Sequence, residues 1–523
     1  METIQVAVIG AGISGLLACK YVVEKGFNPV VFEAEEGVGG VWNNHTIQST
    51  ILQNPKSTYE FTDFPWPSSV EEFYPTHNQV LEYLQSYAQH FDLFPYMKFN
   101  SKVISLDYVD GESIEEMESW DLWGATGKPF ESKGKWEIVV QDTKTSSTKM
   151  YQFEFVILCI GRYSGLPNIP EFPPNQGPEV FNGKVMHSKE YSALDDEKAA
   201  ELIRNKRVTV IGSAKSAVDI AAECAEANGA EYPCLMIQRT ANWLLPSIYL
   251  WGVPYPLLFF TRFSELLIHK PGETFLQRIL ATLVSPLRWA ISKFAESYLR
   301  WKLPLKKYNM VPKHSFLQDM SSCRIQMLPK NFYEKVEQGS IILKRSQNFS
   351  FCKEGLIIDG ETQPLETDIV IFATGYKGDQ KLKNIFKSPI FQEKIVGPPT
   401  SIVPLYRHMI HPRIPQLAVI GYAESLSNLC TSEIRCQWLA QFLSGKFEFP
   451  KIREMEKDVM KWEKYSKLYS GKYFRGSCNA CVHVWYNDQL CKDMERKTRR
   501  KKGVLAEWFL PYFPSDYAGL THN

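Results

Sequence analysis

Residues 6–34, "VAVIGAGISGLLACKYVVEKGFNPVVFEA", open with an unbroken apolar run to Ile9 and pass through three glycines into small and apolar residues. They close with a second apolar run that stops at Glu33. The same order returns about 200 residues later as "RVTVIG", "SAVDIAAECAEA" and "CLMIQRT". Continuous rather than alternating hydrophobicity marks strands buried on both faces, as in a parallel sheet covered by helices. Two more such runs, within "FEFVILCIGRYSGLPNIP" (153–170) and "LETDIVIFATGYKGD" (365–379), each end at a glycine. The pattern predicts an α/β fold of two Rossmann-like dinucleotide-binding units and no further internal repeat.

The first unit carries the G-x-G-x-x-G spacing in full. Gly10 permits the tight turn, Gly12 lets a pyrophosphate approach the backbone, and Gly15 lets the helix pack close to the sheet. Glu33 stands about 20 residues on, where a carboxylate can hydrogen-bond the ribose hydroxyls of an adenosine and would repel a 2′-phosphate. That selects FAD or NAD over NADP. Gly39, Gly40 and Trp42 in "EGVGGVW" suit a loop passing close to a second phosphate or to a flavin.

The second unit keeps only Gly212 of the three glycines; Ala214 and Ala217 replace the others. Alanine is the next smallest side chain, so the helix can still approach the sheet. Ser213, Lys215 and Ser216 flank the expected pyrophosphate, with the Lys215 cation offsetting looser backbone contacts. The second strand ends at Arg239 rather than an acid, and a guanidinium at the ribose position calls for a 2′-phosphate. The ligand expected here is NADPH. Gly161, Thr374 and Gly375, at the ends of the two remaining runs, should lie near the dinucleotides.

Bulk composition narrows the picture. The 523 residues are 44% hydrophobic and 22% charged, with a net charge of +1, which gives no electrostatic reason for a nucleic-acid partner. Eleven cysteines show no paired framework, as in a reducing compartment, and "CNAC" (478–481) has no second pair at zinc spacing, so no metal is expected. The first strand begins almost at Met1, so no leader is expected, and a cytoplasmic protein is the reading. The apolar region 243–301 is broken by prolines and charges and is no spanning helix, although "WGVPYPLLFF" (251–260) could touch a membrane surface such as that of the endoplasmic reticulum. The basic run "RKTRRKK" (496–502) reads as a solvated tail.

"FNGKVMHSKEY" places Phe181, Gly183, His187 and Tyr191 at F-x-G-x-x-x-H-x-x-x-Y spacing just before the second turn. With "GAGISG", "GGVW", "NPK", "ATGY" and "EIRCQW", the chain resembles the flavin-containing monooxygenases and their class B relatives over nearly its whole length. The long insertion after Trp243 and the Lys-Ser-Ala turn look most like the plant pathogen-response branch, which N-hydroxylates a cyclic amino acid, pipecolic acid. The resemblance implies that NADPH reduces FAD, O₂ adds to the reduced flavin, and the C4a-hydroperoxide gives one oxygen to a soft nitrogen or sulfur of a small amine or sulfide. It sets Asn54 of "ILQNPKSTYEFTDFPWP" beside the flavin as the catalytic amide, and gives His187 a structural role at the domain interface. It also implies an FAD domain at 1–170 and 330–455, with an NADPH domain at 171–329 inserted in it. A substrate-access insertion is expected at 243–325 and a helical tail at 456–523.

Three other readings share these motifs. Baeyer–Villiger oxygenation or oxidative decarboxylation would act on a carbonyl substrate. A flavin disulfide reductase needs a redox cysteine pair near the flavin, and no cysteine lies between Cys19 and Cys159. A non-enzymatic binding protein of the same fold would not need the intact first turn and Glu33.

Overall fold

The computed structural model describes residues 5–520. Two parallel five-stranded sheets organise it. The first has the order β10-β4-β1-β2-β3, formed by β1 (Gln5–Ile9), β2 (Asn28–Phe32), β3 (Met97–Lys98), β4 (Phe155–Leu158) and β10 (Leu417–Val419). The second has the order β8-β7-β6-β9-β5, formed by β5 (Lys184–His187), β6 (Val208–Ile211), β7 (Cys234–Gln238), β8 (Ile341–Arg345) and β9 (Ile369–Phe372). The central strands are buried on both faces, as their unbroken apolar runs require.

The two units repeat one plan. In each, a strand leads through a glycine turn into a helix, α1 (Ile13–Glu24) or α2 (Lys215–Asn228), and then into a parallel neighbour. In each, a three-stranded antiparallel meander precedes the strand on the other side: Ser101–Phe153 before β4, and Phe349–Glu366 before β9. Registers Ile9↔Phe32 and Ile9↔Leu158 in one sheet match Ile211↔Ile237 and Ile211↔Phe372 in the other. Both glycine turns therefore leave the carboxyl ends of their sheets, where open α/β folds hold ligands.

Strand pairing shifts one expected boundary. The sequence places residues 330–455 in the first domain, yet β8 and β9 hydrogen-bond into the second sheet. The chain rejoins the first sheet only at β10, after the glycine end of β9. The two buried runs ending at Gly161 and Gly375 are thus the outward and return crossings.

The insertion and tail form a helical layer. It contains α3 (Arg262–Leu266), α4 (Phe275–Leu283), α5 (Ser285–Lys302), α7 (Ile452–Ser470) and α8 (Val504–Phe509); α6 (Asn428–Leu443) packs almost wholly buried against α1. Two expectations change here. Cys323 and Cys478 form a disulfide, fastening the insertion to the tail, so the cysteines are not all unpaired; nine others are free. Their spacing of 155 residues is invisible as a sequence framework. The basic run is not simply solvated either. Arg500 donates to the Ala518 carbonyl at 2.8 Å and Lys501 pairs with Asp516 at 2.9 Å. Among the described residues no helix is long and apolar enough to cross a membrane.

Candidate active site

The first turn is built around close backbone approaches. Gly10 has φ +103°, and a Cβ there would lie 2.6 Å from the Cys159 carbonyl oxygen. A Cβ on Gly15 would lie 1.8 Å from the Gly10 oxygen, so that glycine is obligatory for helix packing. The second glycine loop folds back onto the turn: Gly39 N–H donates to Ala11 O at 3.0 Å, and a Gly40 Cβ would come within 3.0 Å of the Gly12 Cα. Glu33 is buried and accepts from the amides of Ala11 (2.6 Å) and Glu35 (2.9 Å). Burial pushes its carboxyl above the usual range and these amides pull it back. The acid thus fastens the turn to the strand end in addition to any ribose contact. Trp42 donates to the Tyr59 hydroxyl at 3.2 Å, which fixes the end of the Gly39–Gly40 loop.

The second turn shows why the missing glycines are tolerated. Ala214 caps α2 at φ −97°, ψ −179°, nearly the conformation of Gly12 before α1 at φ −74°, ψ −173°. That extended geometry accepts any L-residue. The Ala217 methyl is accommodated by a wider turn: Gly212 takes φ +154°, and its own Cβ would lie 3.1 Å from Ala217 Cβ and 2.4 Å from Ala373 O. Only Gly212 must remain glycine. Its amide donates to Ile237 O at 3.0 Å, as Gly10 donates to Phe32 O at 2.8 Å.

A cavity of about 1350 Å³ joins this turn to the first domain. Asn54, Gly212, Ser213, Lys215, Ser216, Arg239, Thr374 and Gly375 all line it, so half of the expected site residues share one wall. Gly10, Gly12, Gly15, Glu33, Gly39, Gly40, Trp42 and Gly161 are not on that wall. Gly10, Gly12 and Gly15 form the first turn and Gly39, Gly40 and Trp42 the loop folded onto it; Val41 and His45 of that segment line the cavity. Asn54 donates one amide proton to Leu426 O at 2.8 Å. Arg239 is exposed, lines the cavity and enters no ion pair among the described residues. Lys215 is instead bound to Asp219 at 2.7 Å, and burial raises that carboxyl to about 6 against the pull of the lysine. Gly375 has φ +81° with nothing within 4 Å of a Cβ position, while Thr374 and Gly375 are tied to Asn168.

His187 is a structural residue. Its Nδ1 accepts from the Lys189 amide at 3.1 Å, so its Nε2 carries the proton and donates to Gly375 O at 3.0 Å. Burial lowers its pKa below the usual histidine range. Its motif partners do similar work: a Cβ on Gly183 would strike Asp368 O at 2.4 Å, and the buried Tyr191 bonds Glu223 at 3.2 Å.

Several residues escaped sequence reasoning. Asn242 donates to Ser213 O (3.0 Å) and Oγ (3.1 Å) and accepts from Arg324, linking the second turn to the insertion. Arg324 lies over the Tyr473 ring at 4.8 Å, and Arg475 pairs with Glu424 at 2.7 Å. Lys472, Tyr473, Arg475 and Arg324 line the cavity from insertion and tail; Arg475 is paired with Glu424 and Arg324 lies 3.6 Å from Asp319, so Lys472 is the cation there with no ion pair among the described residues. Asn242 had one usable signal, its place three residues after Arg239; the tail residues had none.

Residues 3–499 match the family model described as Flavin-binding monooxygenase-like. The chain belongs to that family. It is 42% identical to "Probable flavin-containing monooxygenase 1" of Arabidopsis thaliana over 98% of this chain and 96% of that one. It is 28% identical to "Dimethylaniline monooxygenase [N-oxide-forming] 2" of Oryctolagus cuniculus over 87% of this chain and 76% of the relative. Among solved structures it resembles OTEMO in complex with FAD and NADP, with a TM-score of 0.66 at 18% identity, covering 94% of this chain and 97% of that one. The flavin monooxygenase thus has the two-unit α/β architecture that its apolar runs predict.

Proposed function

We propose that this flavoprotein monooxygenase uses FAD, NADPH and O₂ to oxygenate a soft nitrogen or sulfur of a small molecule, and that its substrate is a cyclic amino acid N-hydroxylated in plant defence. The observation that carries the reading is the cavity that brings Asn54 of the first unit together with Arg239 and the second turn. A bound flavin would supply the hydride acceptance and O₂ activation; the chain's residues would position and shield that chemistry. Gly10, Gly12 and the Gly39–Gly40 loop bring bare backbone to the FAD pyrophosphate. Arg239 reads the 2′-phosphate of NADPH. Asn54, held by Leu426, keeps an amide at the cavity wall without adding an acidic proton. Lys472, exposed on the cavity lining and outside any ion pair among the described residues, suits the carboxylate of an amino acid.

The test is a screen of purified protein with cyclic amino acids, tertiary amines, sulfides and ketones, following NADPH oxidation together with oxygenated product. N-hydroxylated amino acid supports the proposal. A lactone or ester from a ketone would replace it with Baeyer–Villiger chemistry. A colourless protein without NADPH turnover would make it a binding protein.

A further inference from the structure

Helix α4 is amphipathic, but it is turned the wrong way for a helix of a water-soluble domain. Phe275, Leu276, Ile279, Leu280 and Leu283, with Leu287 at the start of α5, recur at the three- and four-residue spacing of one helical face. All of them are exposed, Phe275 at 78%, Leu276 at 74% and Leu283 at 71%, and Ala281 is the only buried residue of α4. A stripe of this size facing water marks an interaction surface.

A second apolar prominence stands beside it. Val504 and Leu505 on α8 are 74% and 75% exposed, and Phe509 and Leu510 follow. Helix α3 joins the two: it packs against both α4 and α8, and Phe263 meets Phe509 with ring centroids 5.1 Å apart. Arg262 of α3 locks the arrangement by binding Glu507, Asp488 (3.0 Å) and Tyr512 (3.1 Å). The presentation is therefore built by the fold.

The basic run 496–502 leads directly into α8. Its inward residues are consumed by structure, Arg500 on Ala518 O and Lys501 on Asp516. Lys497, Arg499 and Lys502 are exposed and take part in no ion pair among the described residues. Exposed cations beside apolar knobs are the composition of a surface that lies in the headgroup region of an anionic bilayer, the chains burying the knobs and the headgroups meeting the cations. The stretch 251–260, which the sequence offered for this role, is less suited, since Tyr255, Pro256, Phe259 and Phe260 face inward.

We infer that the face formed by α4, α8 and residues 497–502 binds the protein peripherally to anionic lipid bilayers. This goes beyond the proposed oxygenation and does not depend on it.

The experiment sediments flavin-loaded, full-length protein with vesicles of phosphatidylcholine alone or of phosphatidylcholine with phosphatidylserine. Two variants accompany it: Leu276→Asp with Leu505→Asp, and Lys497→Glu with Arg499→Glu and Lys502→Glu. The altered side chains are exposed, and retained flavin and an unchanged melting temperature show that each variant folds. The parent should bind the phosphatidylserine vesicles in a salt-sensitive manner, and each variant should bind at least about tenfold more weakly. Three results would overturn the inference: no vesicle binding by the parent, equal binding to both compositions, or binding that either folded variant retains. If the parent does not sediment but is a dimer in solution that Leu276→Asp with Leu505→Asp dissociates, the face is a contact between two copies, and the bilayer assignment is equally overturned.

Discussion

The side-chain amide of Asn54 donates to the main-chain carbonyl of Leu426 at 2.8 Å, across 372 residues of sequence. The bond ties the "QNPK" loop to the segment entering α6, which packs on α1 behind the first glycine turn. One polar side chain therefore couples the cavity wall to the helix that follows the first glycine turn. Asn54→Ala loses both that tether and the amide at the wall. Loss of a preorganised donor near developing charge costs about 10²–10³ in rate, and here it should fall on oxygen transfer rather than on flavin reduction. The variant should still consume NADPH, release more hydrogen peroxide and make less product. The product-to-NADPH ratio decides; a parental ratio in a flavin-loaded variant leaves Asn54 only its structural bond.

Gly12 and Ala214 offer a paired test of the two turns. Both cap a helix in extended geometry, so a β-branched side chain is tolerated by the backbone at either position and instead fills the space in front of it. Gly12→Val should fold and lose its yellow colour. Ala214→Val should stay yellow and lose NADPH-dependent flavin reduction, while dithionite still reduces it. Loss of flavin from the second variant would mean that the turns are not separate sites.

Much of this site was legible in the sequence because backbone geometry decided it. Unbroken apolar runs announced β1, β4, β6 and β9, and Gly10, Gly15 and Gly212 follow from approaches that leave no room for a Cβ. Arg239 was readable for the same reason, since a strand end fixes where its side chain emerges. What stayed hidden depends on contacts between distant segments. The Cys323–Cys478 bridge joins insertion to tail, the Asn242–Arg324 link joins the second turn to the insertion, and Arg324 meets Tyr473 of the tail at the cavity. The domain boundary at 330 failed similarly: short strands such as β8 declare their sheet only through their partners.

The bridge itself should matter for the cavity rim. Cys323 lines the cavity and Cys478 holds it to the tail. Removing a native disulfide typically costs about 2–4 kcal/mol. Cys323→Ser should therefore lower the melting temperature, and a reducing agent should lower the parent's to the same value. An unchanged melting temperature on reduction, with both thiols shown by labelling to be free, would remove the bridge from the stability of this layer.

Buried histidines predict acid sensitivity. Burial lowers His411 to about 3 and His483 to about 4, and drives His408 well below its usual range. In the unfolded chain each should titrate near about 6.5. Below that value the unfolded state binds more protons than the folded one, so the stability these rings contribute is present above about pH 6.5 and is lost as pH falls toward the folded values. His411 Nδ1 accepts from the Arg413 amide at 3.1 Å, an acceptor that asparagine can replace. Comparing denaturation midpoints at about pH 7.5 and about pH 5.5, His411→Asn should flatten the decline by up to about 1.4 kcal/mol per pH unit. An identical slope in the variant would place the acid sensitivity elsewhere.

Arg239 closes the functional argument, because it separates NADPH use from a generic dinucleotide turn. Its guanidinium is free at the cavity rim while its own carbonyl accepts from Gln347 at 2.8 Å, so the backbone is fixed and the charge is available. Lys215, the other cation of the turn, is already held by Asp219, so we propose Arg239 as the counter-charge for a 2′-phosphate. One charge-assisted contact of this kind contributes about 1.5–3 kcal/mol, or about 10- to 100-fold in affinity. Arg239→Ala should raise the NADPH KM by that factor and leave the NADH KM nearly unchanged, with kcat preserved because the nicotinamide end is untouched. Rescue of the NADPH preference by Arg239→Lys should be partial, since an ammonium supplies the charge but not the planar fork. Equal losses for NADPH and NADH would show that the arginine supports the turn rather than reading the phosphate.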